Sequence, residues 1–156
     1  MIRSVDPSLP SSVLFVLWAM GHGDEVAVVD SHFIAESDEN VGIQGDVVTI
    51  DDLDSLQALR AILSALQLDT TFVDYPVTRL ESDRPHLLPE VQDLLDDALG
   101  FPCALRDLAY PDFYDSARNC YALIVTGGTR RLGSFILRKG LDVTPDTVCS
   151  PPWRQR

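Results

Sequence analysis

The chain has 156 residues, 46% of them apolar and 23% charged, the size and balance of one globular domain with a proper core. Its formal net charge is −12, so phosphate backbones are repelled and nucleic acid is excluded as a partner. The acids are concentrated: residues 1–100 hold 19 against four bases, while residues 101–156 hold five against eight. Those two portions can meet across neighbouring copies, or can simply be solvated surface.

Cys103, Cys120 and Cys149 are sparse and form no C-x-x-C pair. That excludes a disulfide framework or a zinc site and suits reduced thiols in a cytoplasmic protein. Ser12–Met20 is apolar but too short to span a bilayer, and no signal-type segment precedes it, so no membrane partner is expected.

Asp6-Pro7-Ser8-Leu9-Pro10 is a turn-rich lead-in, after which Ser11 or Ser12 can cap a short helix carrying Val13, Leu14, Val16, Leu17 and Met20. Gly21 stops it, and His22 stands in a tight turn between two glycines. Residues 25–30 form a β-branched run, the mark of a strand covered on both faces. Ser31-His32-Phe33-Ile34 leaves its end, and the polar run 35–40 reads as a loop. A second strand spans 45–50, and Asp51 is expected to cap a helix whose apolar face holds Leu53, Leu56, Leu59, Leu63 and Leu66. Residues 70–80 read as extended, with Pro76 pointing to an edge strand or a bulge.

A helix over 89–99 has Pro at its start and Gly100 at its end, and a short strand falls within 101–108. Pro111 opens a further helix through Phe113, Tyr114 and Ala117. Strands at 121–125 and 135–137 follow, the first closed by Thr126-Gly127-Gly128-Thr129. From Val143 the chain is Pro-rich and irregular, which gives one domain over 1–142 and a tail over 143–156. Alternating strands and helices predict a three-layer α/β/α domain with a central mixed sheet.

Few residues carry chemistry. Thr126–Arg131 has glycines and arginines but neither a P-loop nor a dinucleotide fingerprint, so it reads as a turn between strands. His22, His32 and His86 form no metal-ligand pattern, and there is no G-x-S-x-G elbow. The pairs Asp51-Asp52 and Asp96-Asp97 read as a cap and a solvated face. A Gly-His-Gly turn taken alone reads first as a structural or surface histidine. What sets His22 apart is Asp30 at the C-terminal end of the following strand, the edge where open α/β sheets place ligands. If the strands at 25–30 and 121–126 are neighbours, both residues are expected to join the turn at 126–134, in a site suited to sugar hydroxyls.

Gly21-His22-Gly23-Asp24-Glu25 followed by Asp30-Ser31-His32-Phe33 resembles the signature of the RbsD/FucU family of D-ribose pyranases and L-fucose mutarotases. Phe113–Arg118, Tyr121–Gly127 and Ser134–Gly140 extend the resemblance, which covers roughly 4–142 and is nearer to the fucose branch. It implies an RbsD-like fold, no cofactor, and interconversion of sugar ring forms by general acid–base chemistry. By position it implies His22 as the proton-transferring residue and Asp30, Tyr110, Leu132, Gly133 and Ser134 as sugar contacts. It also implies a ring-like homo-oligomer, a decamer in some relatives, with sites near subunit contacts. Tyr110 stands where the fucose branch has arginine and the ribose branch histidine. Leu132-Gly133-Ser134 replaces Tyr-Gly-Asn, and Gly128 replaces a glutamate. The alternatives are a D-ribose pyranase, or a sugar-binding or assembly protein that kept the scaffold and lost the chemistry.

Overall fold

The computed structural model describes residues 4–31, 33, 45–81, 88–127 and 133–141. His32, His86, Gly128–Leu132, Cys149 and the expected tail at 143–156 lie outside the described residues. The elements in chain order are α1 (Ser11–Ala19), β1 (Glu25–Asp30), β2 (Asp46–Ile50), α2 (Ser55–Ala65), β3 (Val77–Leu80), α3 (Leu88–Leu99), β4 (Leu105–Leu108), α4 (Tyr110–Arg118), β5 (Ala122–Thr126) and β6 (Phe135–Arg138).

The six strands form one mixed sheet in the order β2-β5-β1-β6-β3-β4. β1 and β5 pair in parallel, with Asp30 opposite Thr126, and β2 adds to β5 in parallel. β6 lies antiparallel to both β1 and β3, and β4 runs parallel to β3. Five strands therefore point one way, and β6 is reversed in their midst.

Alternation along each strand divides the core into two. Val26, Val28, Ile124, Phe135 and Leu137 pack with Val13 and Leu17 of α1, Leu59 and Ile62 of α2, and Val91 and Leu95 of α3. Ala27, Val29, Leu123, Val125 and Ile136 face the other way, against Phe33 and against Phe113, Tyr114 and Ala117 of α4. The result is the expected α/β/α sandwich. Fully buried side chains such as Leu17, Leu59 and Leu123 each contribute about 1.5–3 kcal/mol of apolar burial.

Four local expectations change. Pro10, not a serine, is the N-cap of α1, and it has no side-chain bond to offer. α2 is capped by Asp54 rather than Asp51. The Gln57 N–H donates to Asp54 Oδ1 (2.8 Å) and the Asp54 N–H donates to Gln57 Oε1 (3.0 Å), a reciprocal box that satisfies two orphan donors. Pro76 marks neither an edge nor a bulge: it precedes the first residue of an interior strand, and its carbonyl accepts the Arg138 N–H (3.0 Å). Asp96 is not merely solvated, because Oδ1 accepts from Gln92 Nε2 and from the Cys103 N–H (both 2.8 Å), tying the end of α3 to the approach to β4.

A bidentate pair of Arg79 Nε and Nη2 with Asp107 (2.9 and 3.0 Å) stitches β3 to β4, with the arginine buried. Close backbone packing fixes two glycines. A Cβ at Gly45 would lie 2.1 Å from the Tyr121 carbonyl oxygen, and one at Gly127 would lie 2.4 Å from that of Asp51.

The two candidate caps separate cleanly by mutation. Asp54→Ala is expected to lower unfolding free energy in urea by about 1–2 kcal/mol. Asp51→Ala, at an exposed turn residue, is expected to stay within about 0.5 kcal/mol of the parent.

Candidate active site

The His22 turn is built by backbone geometry. The Asp24 N–H donates to the Gly21 carbonyl (3.1 Å), while Asp24 Oδ2 accepts from the Gly21 N–H (2.8 Å). Gly23 takes φ +87°, a left-handed conformation that glycine adopts without steric cost. β6 then clamps the turn: the Gly23 N–H donates to the Lys139 carbonyl (2.8 Å) and the Lys139 N–H donates to Asp24 O (2.9 Å). Lys139 Nζ crosses to the end of α1 and donates to the carbonyls of Leu17 (2.6 Å) and Met20 (2.7 Å), which the helix leaves unpaired. Burial lowers the pKa of this ammonium, with the Asp24 charge acting in the opposite sense.

The His22 side chain is 31% exposed, and its Nε2 lies 3.4 Å from Oδ2 of Asp69, whose side chain is 1% exposed. The Phe72 ring packs against the imidazole at 4.8 Å between centroids, tilted by 57°. Arg138 Nε reaches the same Asp69 oxygen (3.2 Å), and its Nη1 lies 3.9 Å from Glu25. An imidazole with one nitrogen against a buried carboxylate and one side open can give or take a proton.

Asp30, Ser134 and Tyr110 gather elsewhere. Asp30 ends β1 opposite Thr126, and its Oδ1 accepts from the Phe33 N–H (3.2 Å). The reversed β6 begins at Phe135, which pairs with Val28, so Gly133 and Ser134 arrive beside the end of β1. Ser134 is buried and its carbonyl accepts the Leu80 N–H (3.0 Å). Gly133 has φ +120°, in the left-handed region. Tyr110, at the first position of α4, is 57% exposed and heads an aromatic row: its ring lies 4.6 Å from Tyr114, which stacks on Phe33 at 4.3 Å. Asp30, Gly133, Ser134 and Tyr110 therefore sit at the C-terminal edge of the parallel strands, with Leu132 outside the described residues.

His22 is not among them. The strands at 25–30 and 122–126 are neighbours as expected, yet His22 precedes β1 and Asp30 ends it. Six residues of extended chain put about 20 Å between those edges, which corrects the expected His22–Asp30 cluster within one chain. The composition of the His22 surroundings was also missed: Asp69 is 47 positions away in sequence, and its only local signal is the Asp-x-x-Phe turn in which Oδ1 accepts the Phe72 N–H (3.0 Å). Among the described residues no group of three His, Cys, Asp or Glu side chains could hold a metal ion, and no helix is long and apolar enough to cross a membrane.

Residues 3–142 match the model of the RbsD / FucU transport protein family. The chain belongs to that family. It is 34% identical over 150 residues to an L-fucose mutarotase of Haemophilus influenzae (strain 86-028NP), covering 93% of this chain and 99% of that one. The crystal structure of FucU from Bifidobacterium longum superposes with a TM-score of 0.75 at 31% identity, over 89% of this chain and 99% of that one. The fucose mutarotase of Streptococcus pneumoniae, solved in complex with L-fucose, shares the fold with a TM-score of 0.74 at 24% identity, over 90% and 99% of the two chains.

Burial disfavours the reactive thiolate at both described cysteines. Burial pushes the Cys103 thiol up to about 11, with Asp96 adding to the shift, and Cys120 up to about 12, with Glu25 adding. Raised values favour the protonated thiol in the folded state, so this contribution is complete below pH 9 and is lost as pH climbs from about 9 towards 12. Iodoacetamide at pH 8, read by peptide mass spectrometry, is expected to leave both thiols unmodified in the native protein and to alkylate both in urea.

Proposed function

We propose that the chain is a monosaccharide mutarotase, a cofactor-independent isomerase that interconverts the anomers or ring forms of L-fucose or a related sugar. Its support is the family, together with an L-fucose mutarotase relative aligned over 93% of the chain. The structural feature that carries the proposal is His22, held in a glycine turn against a buried carboxylate with part of its ring open to solvent.

The chemistry is proton transfer alone. His22 takes the proton of the anomeric hydroxyl as the C1–O5 bond breaks, and O5 takes a proton from a second acid, water included. The open-chain carbonyl turns about the C1–C2 bond and the ring recloses on either face. No electrons are exchanged, so no cofactor is needed. A well-placed general base contributes roughly 10²–10⁴-fold to such a step.

Asp30, Tyr110, Leu132, Gly133 and Ser134 are the sugar contacts in this proposal. The exposed face of Tyr110, backed by the row through Tyr114 to Phe33, suits the C–H face of a pyranose, and Asp30 suits its hydroxyls. The gap of about 20 Å between His22 and Asp30 exceeds the reach of one monosaccharide, so the site is completed between copies in a homo-oligomer. α1 offers an apolar contact face there, with Phe15 73% and Trp18 65% exposed two turns or less from His22. A reducing, cytoplasmic setting suits the free thiols at Cys103 and Cys120.

Saturation-transfer NMR on the anomeric protons of L-fucose and of D-ribose tests the activity. Wild type is expected to accelerate exchange of L-fucose, and His22→Ala to lose that acceleration by about 10²-fold or more. No acceleration of either sugar would remove the enzymatic proposal. Elution from gel filtration as a monomer of 17.2 kDa would remove the shared site.

A further inference from the structure

Beside the imidazole of His22 stands the ring of Phe72, 4.8 Å away between centroids and tilted by 57°. Two separate segments bring them together. His22 comes from the turn before β1, and Phe72 from the turn after Asp69, where the Phe72 N–H donates to Asp69 Oδ1 (3.0 Å). β6 fixes the root of that second turn: the Asp69 N–H donates to Arg138 O (3.0 Å), Leu68 bridges to Lys139, and the Gly140 N–H donates to Gln67 O (2.7 Å). Glycine at 140 is required for that closeness, since a Cβ there would lie 2.6 Å from Leu68 O. Phe72 is only partly buried and the His22 side chain is 31% exposed, so the pair can be reached from solvent.

This pairing constrains which part of a sugar can lie against it. In a pyranose the anomeric carbon has two ring neighbours. One is C2, which carries a hydroxyl; the other is the ring oxygen, beyond which C5 carries the exocyclic group. A base that reaches the anomeric hydroxyl therefore has one of these two flanks beside it, where Phe72 packs on the imidazole. A phenyl ring accepts no ordinary hydrogen bond, so a C2 hydroxyl pressed against it would lose water without replacement. The C5 flank avoids that cost when its exocyclic group is apolar. A methyl group there gains from the contact, a hydrogen leaves the ring uncovered, and a hydroxymethyl carries a hydroxyl onto it.

We propose that Phe72 is a specificity-determining residue: its ring receives the C5 methyl of a 6-deoxypyranose while His22 serves the anomeric hydroxyl. The proposal rests on the assignment of His22 as the proton-transferring group of a mutarotase. C5 keeps its methyl as the C1–O5 bond breaks, so the contact strengthens binding of substrate and transition state alike. It is therefore read in KM rather than in kcat.

Three sugars of one ring configuration isolate the contact: D-arabinopyranose has hydrogen at C5, L-fucopyranose a methyl and L-galactopyranose a hydroxymethyl. Anomer exchange is measured by saturation-transfer NMR over a range of sugar concentrations. The full-length wild type is expected to show a kcat/KM for L-fucose roughly tenfold or more above those for the other two. Phe72→Ala is expected to bring L-fucose and D-arabinose to within about twofold of each other, through KM, and Phe72→Leu, still apolar, to keep most of the preference. A wild type with no preference for the methyl would overturn the proposal without any variant. So would an unchanged ratio in Phe72→Ala, whatever its overall rate, since a ring that only covers His22 affects all three sugars equally. Absence of exchange for every sugar in the wild type would instead remove the mutarotase assignment on which the proposal rests.

Discussion

The reversed strand β6 is the constraint on which the rest depends. Among the described residues it is the only strand of the sheet that runs against its neighbours, and it lies between β1 and β3. Because it is reversed, its start delivers Gly133 and Ser134 to the edge where β1 ends, and its finish delivers Arg138, Lys139 and Gly140 to the edge where β1 begins. One strand of four residues, with the residues that flank it, thus supplies backbone or side chains to both halves of the candidate site. A parallel strand in the same slot would bring Arg138 and Lys139 to the Asp30 edge and leave the His22 turn without its clamp.

At the His22 edge the anchoring is polar and short-range. Lys139 joins β6 to the end of α1, Arg138 joins it to Asp69 and Glu25, and paired backbone bonds join it to Gly23 and Asp24. Turns at a sheet edge ordinarily rank among the more mobile parts of a domain. Here the bonds run to three separate chain segments, so displacing the turn must break several of them at once. The Asp30 edge is held differently, by a buried serine and an aromatic row rooted in the second core. Rigid placement of both edges suits a reaction whose rate depends on where a proton donor and acceptor stand.

Much of the architecture was legible. Runs such as Val26–Val29 and Leu123–Val125 are long enough in β-branched and aliphatic residues to be buried strands whatever their partners, and the leucine spacing from Leu56 to Leu63 fixes one face of α2. What was not legible depends on partners distant in sequence. Asp51, Asp52 and Asp54 all suit a cap, and only the reciprocal bond with Gln57 distinguishes Asp54. Pro76 signals a defect inside a strand, but immediately before one its missing N–H costs nothing and its carbonyl still serves β6. The expectation that His22 and Asp30 meet within one chain failed on a point the sequence did contain: an extended run of six residues separates its two ends. Asp69 gave no such clue, because only the approach of β6 to residues 67–69 reveals what its carboxylate faces.

The division of the candidate site between two edges also bears on how copies can assemble. The His22 edge and the Asp30 edge lie at opposite ends of the same strand, and so face in opposite directions. A two-fold axis perpendicular to β1 can lay unlike edges side by side in two equivalent places, because in such a contact residue i meets j and j meets i. Setting unlike edges face to face requires a head-to-tail contact, and such a contact either closes into a ring or propagates as a filament. Closure leaves no end unsatisfied, and every copy then contributes one His22 edge and one Asp30 edge. In the proposed shared site, the distance between the two edges follows from the length of β1 and the reversal of β6.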